Sequence, residues 1–235
     1  MLFKNKNYQK IVFEKGLFDA LICLNTINPD IELIKSLSNI PILAADGAGI
    51  YLLRNKIEPN FVIGDLDSFS KDEISKSFPQ EKLIFLPDQE TNDFEKTLNF
   101  ARYQNYQNLI VFGIHGGEYE HSLNNWSVLS KYSDIMNIVI YDNNRYGFCI
   151  SRNFILETKN NELISLIPKG FAKITTQGLK WNLNDEILAL GVREGARNIA
   201  ITNEITINIT DGEIFVFLDS RFPNILRKEK YERTN

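Results

Sequence analysis

The segment I-L-A-A-D-G-A-G-I-Y-L-L-R-N-K-I-E-P-N-F-V-I-G-D-L-D-S, residues Ile42–Ser68, decides the fold of this chain. Two short apolar runs in it, Ile42–Ala45 and Phe61–Ile63, each lead into an acidic residue. Short apolar runs bounded by glycine and proline are typical of buried strands, and Ala48–Asn55 between them has the pattern of a helix. The segment therefore predicts a strand–helix–strand unit of an α/β sheet.

Aspartates follow both predicted strands: Asp46 follows the first, and Asp65 and Asp67 follow the second. Ligands of open α/β sheets bind beyond the carboxyl ends of the strands, so these side chains are expected at the crevice. Carboxylates gathered there repel one another unless a cation joins them, and Mg²⁺ shared with substrate phosphates suits such ligands. Each D-G or G-D pair alone is equally typical of a turn. Their occurrence at matching strand ends favours a metal site.

Composition indicates a globular protein without a nucleic-acid or membrane role. The 235 residues are 43% hydrophobic and 24% charged, with a formal net charge of −4, which argues against a general nucleic-acid binder. No apolar run is long enough to span a membrane and no signal peptide is evident, so we expect a cytoplasmic protein. Cys23 and Cys149 lie in apolar runs and are expected to be buried thiols.

The N-terminal part continues with alternating strands and helices. Further strands are predicted at Ala20–Leu24, Leu83–Leu86, Leu109–Gly113 and Ile138–Tyr141. Further helices are predicted at Pro29–Leu37, Lys71–Phe78, from Asn92 onwards, and at Leu123–Tyr132. Met1–Gly16 is interpreted as a peripheral edge or arm.

Two features near these elements are candidates for chemistry. Asn92, with Glu95 three residues later, has the pattern of a capping box, which places Asp93 in the first turn and Lys96 on the same helix face. Plain helix capping explains this pattern as well as function does. Gly116-Gly117, between a strand and a helix, allows backbone N–H groups to approach a phosphate, but it matches neither familiar nucleotide-binding loop.

After Asn144 the sequence predicts strands separated by turns and no helix. The predicted strands are Phe154–Glu157, Leu163–Ile167, Lys173–Thr176, Ile199–Thr202, Ile205–Ile209 and Ile214–Leu218. T-D-G-E, after Ile209, indicates a hairpin. We therefore predict an α/β domain over residues 1–145, with a mostly parallel sheet flanked by helices, then an all-β sandwich over residues 146–220. Residues 221–235 are expected to form a charged, solvated or frayed tail.

The chain resembles the thiamine pyrophosphokinase family in several motifs that occur in order. The motifs are A-A-D-G-A (44–48), P-N-F-V-I-G-D-L-D-S (59–68), P-D-Q-E-T-N-D-F-E-K (87–96), G-G-E-Y-E-H-S-L-N-N (116–125), I-P-K-G (167–170), T-T-Q-G-L-K-W-N-L (175–183) and T-N (202–203). The resemblance implies transfer of the pyrophosphoryl group of ATP to the hydroxyl of thiamine, with Mg²⁺, in a homodimer whose thiamine site lies near the subunit interface.

The resemblance also implies roles for individual residues. It assigns catalysis and metal binding to Asp46, Asp65, Asp67 and Asp93, one of which accepts the thiamine hydroxyl proton. It assigns ATP and phosphate contacts to Ser68, Gln89, Lys96, Gly116, Gly117 and Glu120. It assigns thiamine contacts to Trp181, Thr202 and Asn203, although Trp181 is equally compatible with a place in the core.

The main departure from the family pattern lies in the glycine loop. The family has G-G-R-x-D, whereas this chain has Glu118 in place of the arginine and Glu120 in place of the aspartate. A charge reversal beside a phosphate at ~4 Å is worth about 4 kcal/mol at an effective dielectric near 20. Candidate replacement cations are Arg54, Lys56 and Arg145. Two alternatives stay open: a thiamine- or nucleotide-binding relative with impaired catalysis, and a pyrophosphokinase for another heterocyclic alcohol.

Overall fold

The structure is a computed structural model that describes residues 7–26 and 29–231. The described chain forms two compact units. The α/β unit comprises residues 17–143, and the β-rich unit combines residues 7–16 with residues 144–231.

The helices and strands of the described residues are as follows. The strands are β1 Tyr8–Glu14, β2 Ala20–Cys23, β3 Ile42–Ala45, β4 Phe61–Gly64, β5 Leu83–Phe85, β6 Asn108–Phe112, β7 Asn137–Asp142, β8 Arg145–Ile150, β9 Phe154–Glu157, β10 Leu163–Gln177, β11 Glu186–Ala189, β12 Gly195–Ile199, β13 Glu204–Asp219 and β14 Ile225–Tyr231. The α-helices are α1 Ile31–Ser36, α2 Ala48–Arg54, α3 Asp93–Tyr103 and α4 Tyr119–Tyr132.

The α/β unit is built on a parallel sheet in the order β7-β6-β2-β3-β4-β5. β2 and β3 are buried along their whole length, as expected of strands covered on both faces. The chain runs outward from β2 to β5 and then returns to the other side of β2 with β6. This change of direction at β2 creates a topological switch point, where α/β proteins bind ligands. The predicted parallel sheet flanked by helices is confirmed.

Two helix predictions in this unit differ from the structure. The predicted helix Lys71–Phe78 is replaced by short 3-10 turns at Phe69–Lys71, Glu73–Ser77 and Gln80–Lys82. Asp72 caps the middle turn by accepting a hydrogen bond from Ile74 N, which satisfies the backbone locally without an α-helix. α4 begins four residues earlier than predicted, at Tyr119, and therefore directly after the glycine pair.

The β-rich unit contains the strand order β14-β1-β9-β13-β8, and β10 pairs with β11, β12 and β13. The β-rich character of the C-terminal part is therefore confirmed. β10 and β13 are long strands that run antiparallel to each other, with register shifts in the middle. Each covers two predicted strands that the sequence pattern had separated.

The T-D-G-E hairpin prediction was wrong, because β13 continues through it. Asp211 and Gly212 pair with Lys173 and Ala172 of β10, and the irregularity bends the pair instead of reversing the chain. Gly212 has a φ of +79°, and a Cβ there would lie 2.2 Å from the Phe171 carbonyl oxygen. Glycine is therefore needed at this position because the two strands approach closely here. A glycine in a turn has the same local sequence pattern, so the sequence did not distinguish the two cases.

The two ends of the described chain pair with each other, which the sequence reading missed. Met1–Gly16 was expected to be a peripheral edge or arm, yet β1 within it pairs on both sides, with β14 and with β9. The expected frayed tail instead includes β14, which pairs antiparallel with β1 over seven residues. Residues 1–6 and 232–235 of the predicted arm and tail lie outside the described residues.

No helix within the described ranges combines the length and the apolar character required to cross a membrane.

Candidate active site

A cavity of about 480 Å³ lies at the carboxyl ends of the parallel strands of the α/β unit. Segments that follow β2, β3, β4, β5 and β6 all contribute to its lining, which is the location expected for an α/β ligand site. The lining residues are Leu24, Asn25, Thr26, Ala45, Asp46, Asp65, Ser68, Gln89, Thr91, Asn92, Asp93, Phe94, Lys96, Gly116, Gly117, Glu118, His121 and Asn125.

Three aspartates converge in this cavity. Asp46, Asp65 and Asp93 each offer a carboxylate oxygen within 4.8 Å of the others. Asp46 follows β3, Asp65 follows β4, and Asp93 is the first residue of α3. Gly64 makes this convergence possible, because a Cβ at that position would lie 2.9 Å from Asp93 Oδ1.

Asp46 also organises the loop after β4. Its two carboxylate oxygens accept hydrogen bonds from Ser68 N and Phe69 N, both at 3.1 Å. Its φ of +40° is unusual for a residue other than glycine, and the side chain is almost fully buried. The strained aspartate thus holds the loop that carries Asp65 while it contributes an oxygen to the cluster.

The other two aspartates have pKa values shifted in opposite directions. Gln89 Nε2 donates to Asp65 Oδ2 at 3.2 Å, and this bond lowers the pKa of Asp65 below its ordinary value. Burial is the main cause that raises the pKa of Asp93, and the charges of Asp46 and Asp65 add to it. Protons therefore compete with cations for Asp93 more strongly than for Asp65.

Lys96 is the only lysine or arginine among the described residues that line the cavity. Its side chain is 4% exposed, and its Nζ lies 3.5 Å from Asp93 Oδ1. Asp46, Asp65, Asp93 and Glu118 make the lining strongly acidic around this single cation. A cluster of carboxylate oxygens with so little compensating charge fits a hard divalent cation such as Mg²⁺.

Asp67 is not brought into the aspartate cluster. Its side chain is 63% exposed and lies 3.6 Å from Lys71 Nζ, and the residue does not line the cavity. β4 ends at Gly64, and Leu66 between the two aspartates has a φ of +58°, so the backbone is not extended there and Asp67 does not continue the direction of Asp65. Its role in metal binding stays a prediction.

The glycine loop reaches the cavity through Gly116, Gly117 and Glu118. Glu118 is the N-terminal flanking residue of α4, and its carboxylate lies 3.4 Å from His121 Nε2. Glu120 is exposed and does not line the cavity, so its predicted phosphate contact also stays a prediction. Gly116 N donates to Ser122 Oγ at 3.2 Å, which attaches the loop to the first turn of α4.

None of the proposed replacement cations lines this cavity. Arg54 forms an ion pair with Asp72, and Arg145 lies in the β-rich unit, 3.0 Å from Asp219. Lys56 follows α2 with a φ of +61°. Within the described lining, the one basic side chain in contact with Glu118 is His121, whose Nε2 lies 3.4 Å from the Glu118 carboxylate.

The predicted thiamine residues lie in the β-rich unit. Trp181 is 54% exposed, so it is not part of the core, and it lines a second cavity of about 340 Å³ together with Leu166, Leu183 and Leu188. The buried Asn198 side chain holds the Trp181 backbone, accepting from its N–H at 3.2 Å and donating to its carbonyl at 2.8 Å.

Thr202 and Asn203 do not line that second cavity. The Thr202 hydroxyl donates to the Glu204 carbonyl at 2.6 Å, and the Asn203 carbonyl accepts from Thr158 N at 2.9 Å. Both residues are exposed, and these hydrogen bonds lie within the β-rich unit.

Sequence reasoning did not assign three polar residues of the first cavity. Thr26 Oγ1 donates to the Gly113 carbonyl at 2.8 Å and so joins the ends of β2 and β6. Asn25 follows β2 and lines the cavity, with its side chain against Gly47. Asn125 lies on α4, where nothing in the local pattern distinguishes it from a surface asparagine. The position of Asn25 and Thr26 at a strand's carboxyl end was the available signal.

Two family models match the chain and together cover most of it. Residues 35–140 match "Thiamin pyrophosphokinase, catalytic domain", and residues 153–214 match "Thiamin pyrophosphokinase, vitamin B1 binding domain". The first match contains the aspartate cluster, and the second contains Trp181, Thr202 and Asn203. The chain belongs to the thiamin pyrophosphokinase family.

Relatives are distant in sequence and similar in fold. Thiamine pyrophosphokinase 2 of Arabidopsis thaliana is 24% identical over 67% of this chain and 64% of its own length. Thiamine pyrophosphokinase 1 of Oryza sativa subsp. japonica is 28% identical over 67% of this chain and 64% of its own length. The chain thus spans slightly less than two thirds of these relatives. The crystal structure of yeast thiamin pyrophosphokinase superposes with a TM-score of 0.71, covering 88% of this chain and 87% of the yeast chain at 18% identity.

Proposed function

We propose that the protein transfers the pyrophosphoryl group of ATP to the hydroxyl of thiamine, giving thiamine diphosphate and AMP. Membership of the family supports this reaction class. The observation that carries the proposal is the convergence of Asp46, Asp65 and Asp93 with the buried Lys96 in one cavity at the strand ends. Such a set suits a metal-bound polyphosphate, because phosphoryl transfer depends on positioning and charge neutralisation.

In this proposal Asp46, Asp65 and Asp93 would hold Mg²⁺ on the polyphosphate of ATP. Asp67 would have to leave Lys71 and turn toward the cavity to join them. Bound Mg²⁺ supplies neutralisation of the charge that develops on the phosphoryl oxygens. One carboxylate of this set accepts the proton of the thiamine hydroxyl. The hydroxyl oxygen attacks the β-phosphorus of ATP, and AMP leaves.

The remaining lining residues orient the polyphosphate. Lys96 contacts a phosphate oxygen as a point charge, and its burial beside Asp93 limits the positions that its ammonium group can occupy. Gln89 orients Asp65 through its hydrogen bond and offers the second N–H to a phosphate. Ser68 and the backbone of Gly116 and Gly117 complete the phosphate contacts. The proposal keeps a phosphate contact for Glu120 as well, although this exposed side chain does not line the cavity.

We propose that thiamine is recognised by the β-rich unit, through stacking on Trp181 and polar contacts to Thr202 and Asn203. The exposure of the Trp181 ring and the rigid attachment of its backbone to Asn198 support a stacking role. We also propose a homodimer with this site near the subunit interface, as the family resemblance implies.

Glu118 favours a second candidate function, a binding relative with weak or no catalysis. Glu118 lies in the lining where the family pattern has arginine, and its carboxylate lies 3.4 Å from His121 Nε2. The retained aspartate cluster and Lys96 argue for turnover.

The decisive experiment incubates the purified full chain with ATP, MgCl₂ and thiamine and separates the products by chromatography. We expect thiamine diphosphate and AMP in equal amounts. Asp65→Asn is expected to reduce turnover by roughly 100-fold or more while thiamine affinity changes little, because Asp65 acts on the phosphate side. Thiamine binding without turnover by the unaltered chain would favour the binding relative. Release of AMP only with another heterocyclic alcohol would mean that this alcohol, and not thiamine, is the acceptor.

A further inference from the structure

Two asparagines form a hydrogen-bonded relay along one wall of the first cavity. Asn92 Nδ2 donates to Asn125 Oδ1 at 3.1 Å, and Asn125 Nδ2 donates to the Ile114 carbonyl at 3.2 Å. Asn125 is 9% exposed and Ile114 is 1% exposed, so the second bond is shielded from water. Both asparagines line the cavity.

The relay connects the two opposite sides of the site. Asn92 is the N-cap of α3, and its Oδ1 accepts from Glu95 N at 2.9 Å, directly beside Asp93. Ile114 follows β6, two residues before Gly116, so its carbonyl fixes the start of the glycine loop. The carboxamide of Asn125 therefore links the helix that carries Asp93 and Lys96 to the loop that carries the glycines.

Each of these asparagines accepts one hydrogen bond and donates another, and its carboxamide does so through two separate atoms. At Asn92 the oxygen caps the helix while the nitrogen reaches α4, so neither bond competes with the other. A threonine at this position would have to accept and donate through one hydroxyl held closer to its backbone. At Asn125 the oxygen accepts from Asn92 and the nitrogen donates to Ile114, so both bonds of the relay are donated in the direction from α3 to the glycine loop.

We propose that Asn92 and Asn125 are positioning residues, which hold the glycine loop at a fixed distance from Asp93 and Lys96. The expected effect on kinetics rests on the proposed function. The expected effect on loop position does not, because it concerns the protein without ligand. Glycine residues at 116 and 117 have φ values of +118° and +69° and restrain their own backbone little. The loop therefore depends on outside contacts, namely this relay and the Gly116–Ser122 bond. Small displacements of a phosphate-binding loop reduce catalysis, because the reacting groups lose alignment.

The primary test measures amide hydrogen exchange of the ligand-free protein by mass spectrometry. Asn92→Ser retains a capping hydroxyl for α3 but removes the donor that reaches Asn125. We expect exchange in residues 114–118 to accelerate by roughly tenfold, the upper end for the loss of one neutral hydrogen bond. We expect exchange within α3 to change by less than about twofold, because its cap is kept.

Asn99→Ser is the matched control. Asn99 is also an α3 asparagine bonded to α4, since its Oδ1 accepts from Tyr132 Oη at 2.7 Å. It lies two turns further along α3 and does not line the cavity. This variant should weaken the packing of the same two helices without accelerating exchange in the glycine loop.

Asn125→Ala tests whether the two residues act in series. The double variant Asn92→Ser/Asn125→Ala should show loop exchange no faster than Asn125→Ala alone, because Asn92 acts through Asn125. If Asn125→Ala does not fold, the comparison of Asn92→Ser with Asn99→Ser still decides. Unchanged loop exchange in Asn92→Ser, or equal acceleration in Asn99→Ser, would overturn the relay.

Steady-state kinetics test whether the relay affects catalysis. For Asn92→Ser we expect KM for MgATP to rise by about tenfold at most while KM for thiamine stays within about twofold. If the unaltered chain has no turnover, the proposed function fails while the exchange experiment still tests the relay. If turnover is normal and loop exchange does not respond, the relay fails while the proposed function stands.

Discussion

Asp46 combines two tasks in one side chain. It contributes an oxygen to the aspartate cluster, and it accepts the backbone N–H groups of Ser68 and Phe69. Asp65, in contrast, accepts hydrogen bonds from the side-chain amide of Gln89 and from the nearby Asp67 N. The two residues should therefore respond differently to the same isosteric change.

We predict that Asp46→Asn lowers the free energy of unfolding by about 1–3 kcal/mol, because an amide NH₂ group would face one backbone N–H and leave it unsatisfied. Asp65→Asn is the matched control, since it removes the same charge from the same cluster, and it should change stability by less than about 0.5 kcal/mol. Urea denaturation in buffer with a chelator measures both. Equal losses would show that Asp46 does not support the loop.

Glu118 brings a carboxylate to the cavity lining at the position where the family resemblance implies an arginine. We predict that Glu118→Arg tightens MgATP binding by several-fold to about tenfold, and that added salt reduces the gain. The effect stays small because the Glu118 side chain is 72% exposed and water screens its charge. Equilibrium binding of a non-hydrolysable ATP analogue with Mg²⁺ measures the change.

Two controls separate position from net charge in that experiment. Glu118→Gln should give an intermediate affinity, and Glu81→Arg, on an exposed turn outside the cavity, should have little effect. An unchanged or weaker affinity in Glu118→Arg would mean that the carboxylate does not face the polyphosphate.

At the scale of elements, the C-terminal strand is attached by a buried ion pair. Arg221 Nη2 lies 2.6 Å from Glu162 Oε2, and the Glu162 side chain is fully buried. Glu162 also accepts hydrogen bonds from Lys159 N at 2.8 Å and Asp219 N at 3.2 Å. Arg221 in turn lies over the Phe13 ring of β1. The pair therefore joins the segment before β14 to β1 and to the turn before β10.

We predict that Arg221→Ala destabilises the protein by about 3–5 kcal/mol, because it leaves a buried carboxylate without its counter-charge. Arg227→Ala is the matched control. Arg227 also joins β14 to β1, through an exposed ion pair with Glu14, and such pairs contribute about 1 kcal/mol or less. Denaturant unfolding measures both, and similar losses would contradict a special role for the buried pair.

At the scale of the whole molecule, each compact unit contains one buried cysteine. Cys23 lies in the α/β unit and Cys149 in the β-rich unit, both at 1% exposure or less. Burial raises the pKa of the Cys23 thiol to about 12, so the reactive thiolate is scarce at neutral pH. Labelling of each thiol therefore reports the opening of its own unit.

We predict that Ellman's reagent labels neither thiol of the native protein at pH 8 within minutes and labels both in denaturant. Cys23→Ala and Cys149→Ala leave a single reporter in one unit each, so their labelling curves against urea compare the stability of the two units. Rapid labelling of Cys23 in the native protein would contradict its burial.

Sequence alone determined the alternation of strands and helices, the later change to a β-rich part, and the placing of Asp46 and Asp65 at one edge of the sheet. These predictions succeeded because they depend on local periodicity and on one general rule, that parallel strands end at a common edge of a sheet. The family motifs added Asp93, which begins α3 and does not follow a strand directly.

Tertiary structure alone decided the features that depend on distant partners. Local pattern could not reveal that β1 pairs with β14 from the other end of the chain, or that Gly212 serves a close strand approach. Nor could it separate Asp67, which faces Lys71, from the cluster, or identify the Asn92–Asn125 relay. Strand pairing and side-chain contacts are set by residues far away in the sequence, so a residue's neighbours along the chain do not reveal its neighbours in space.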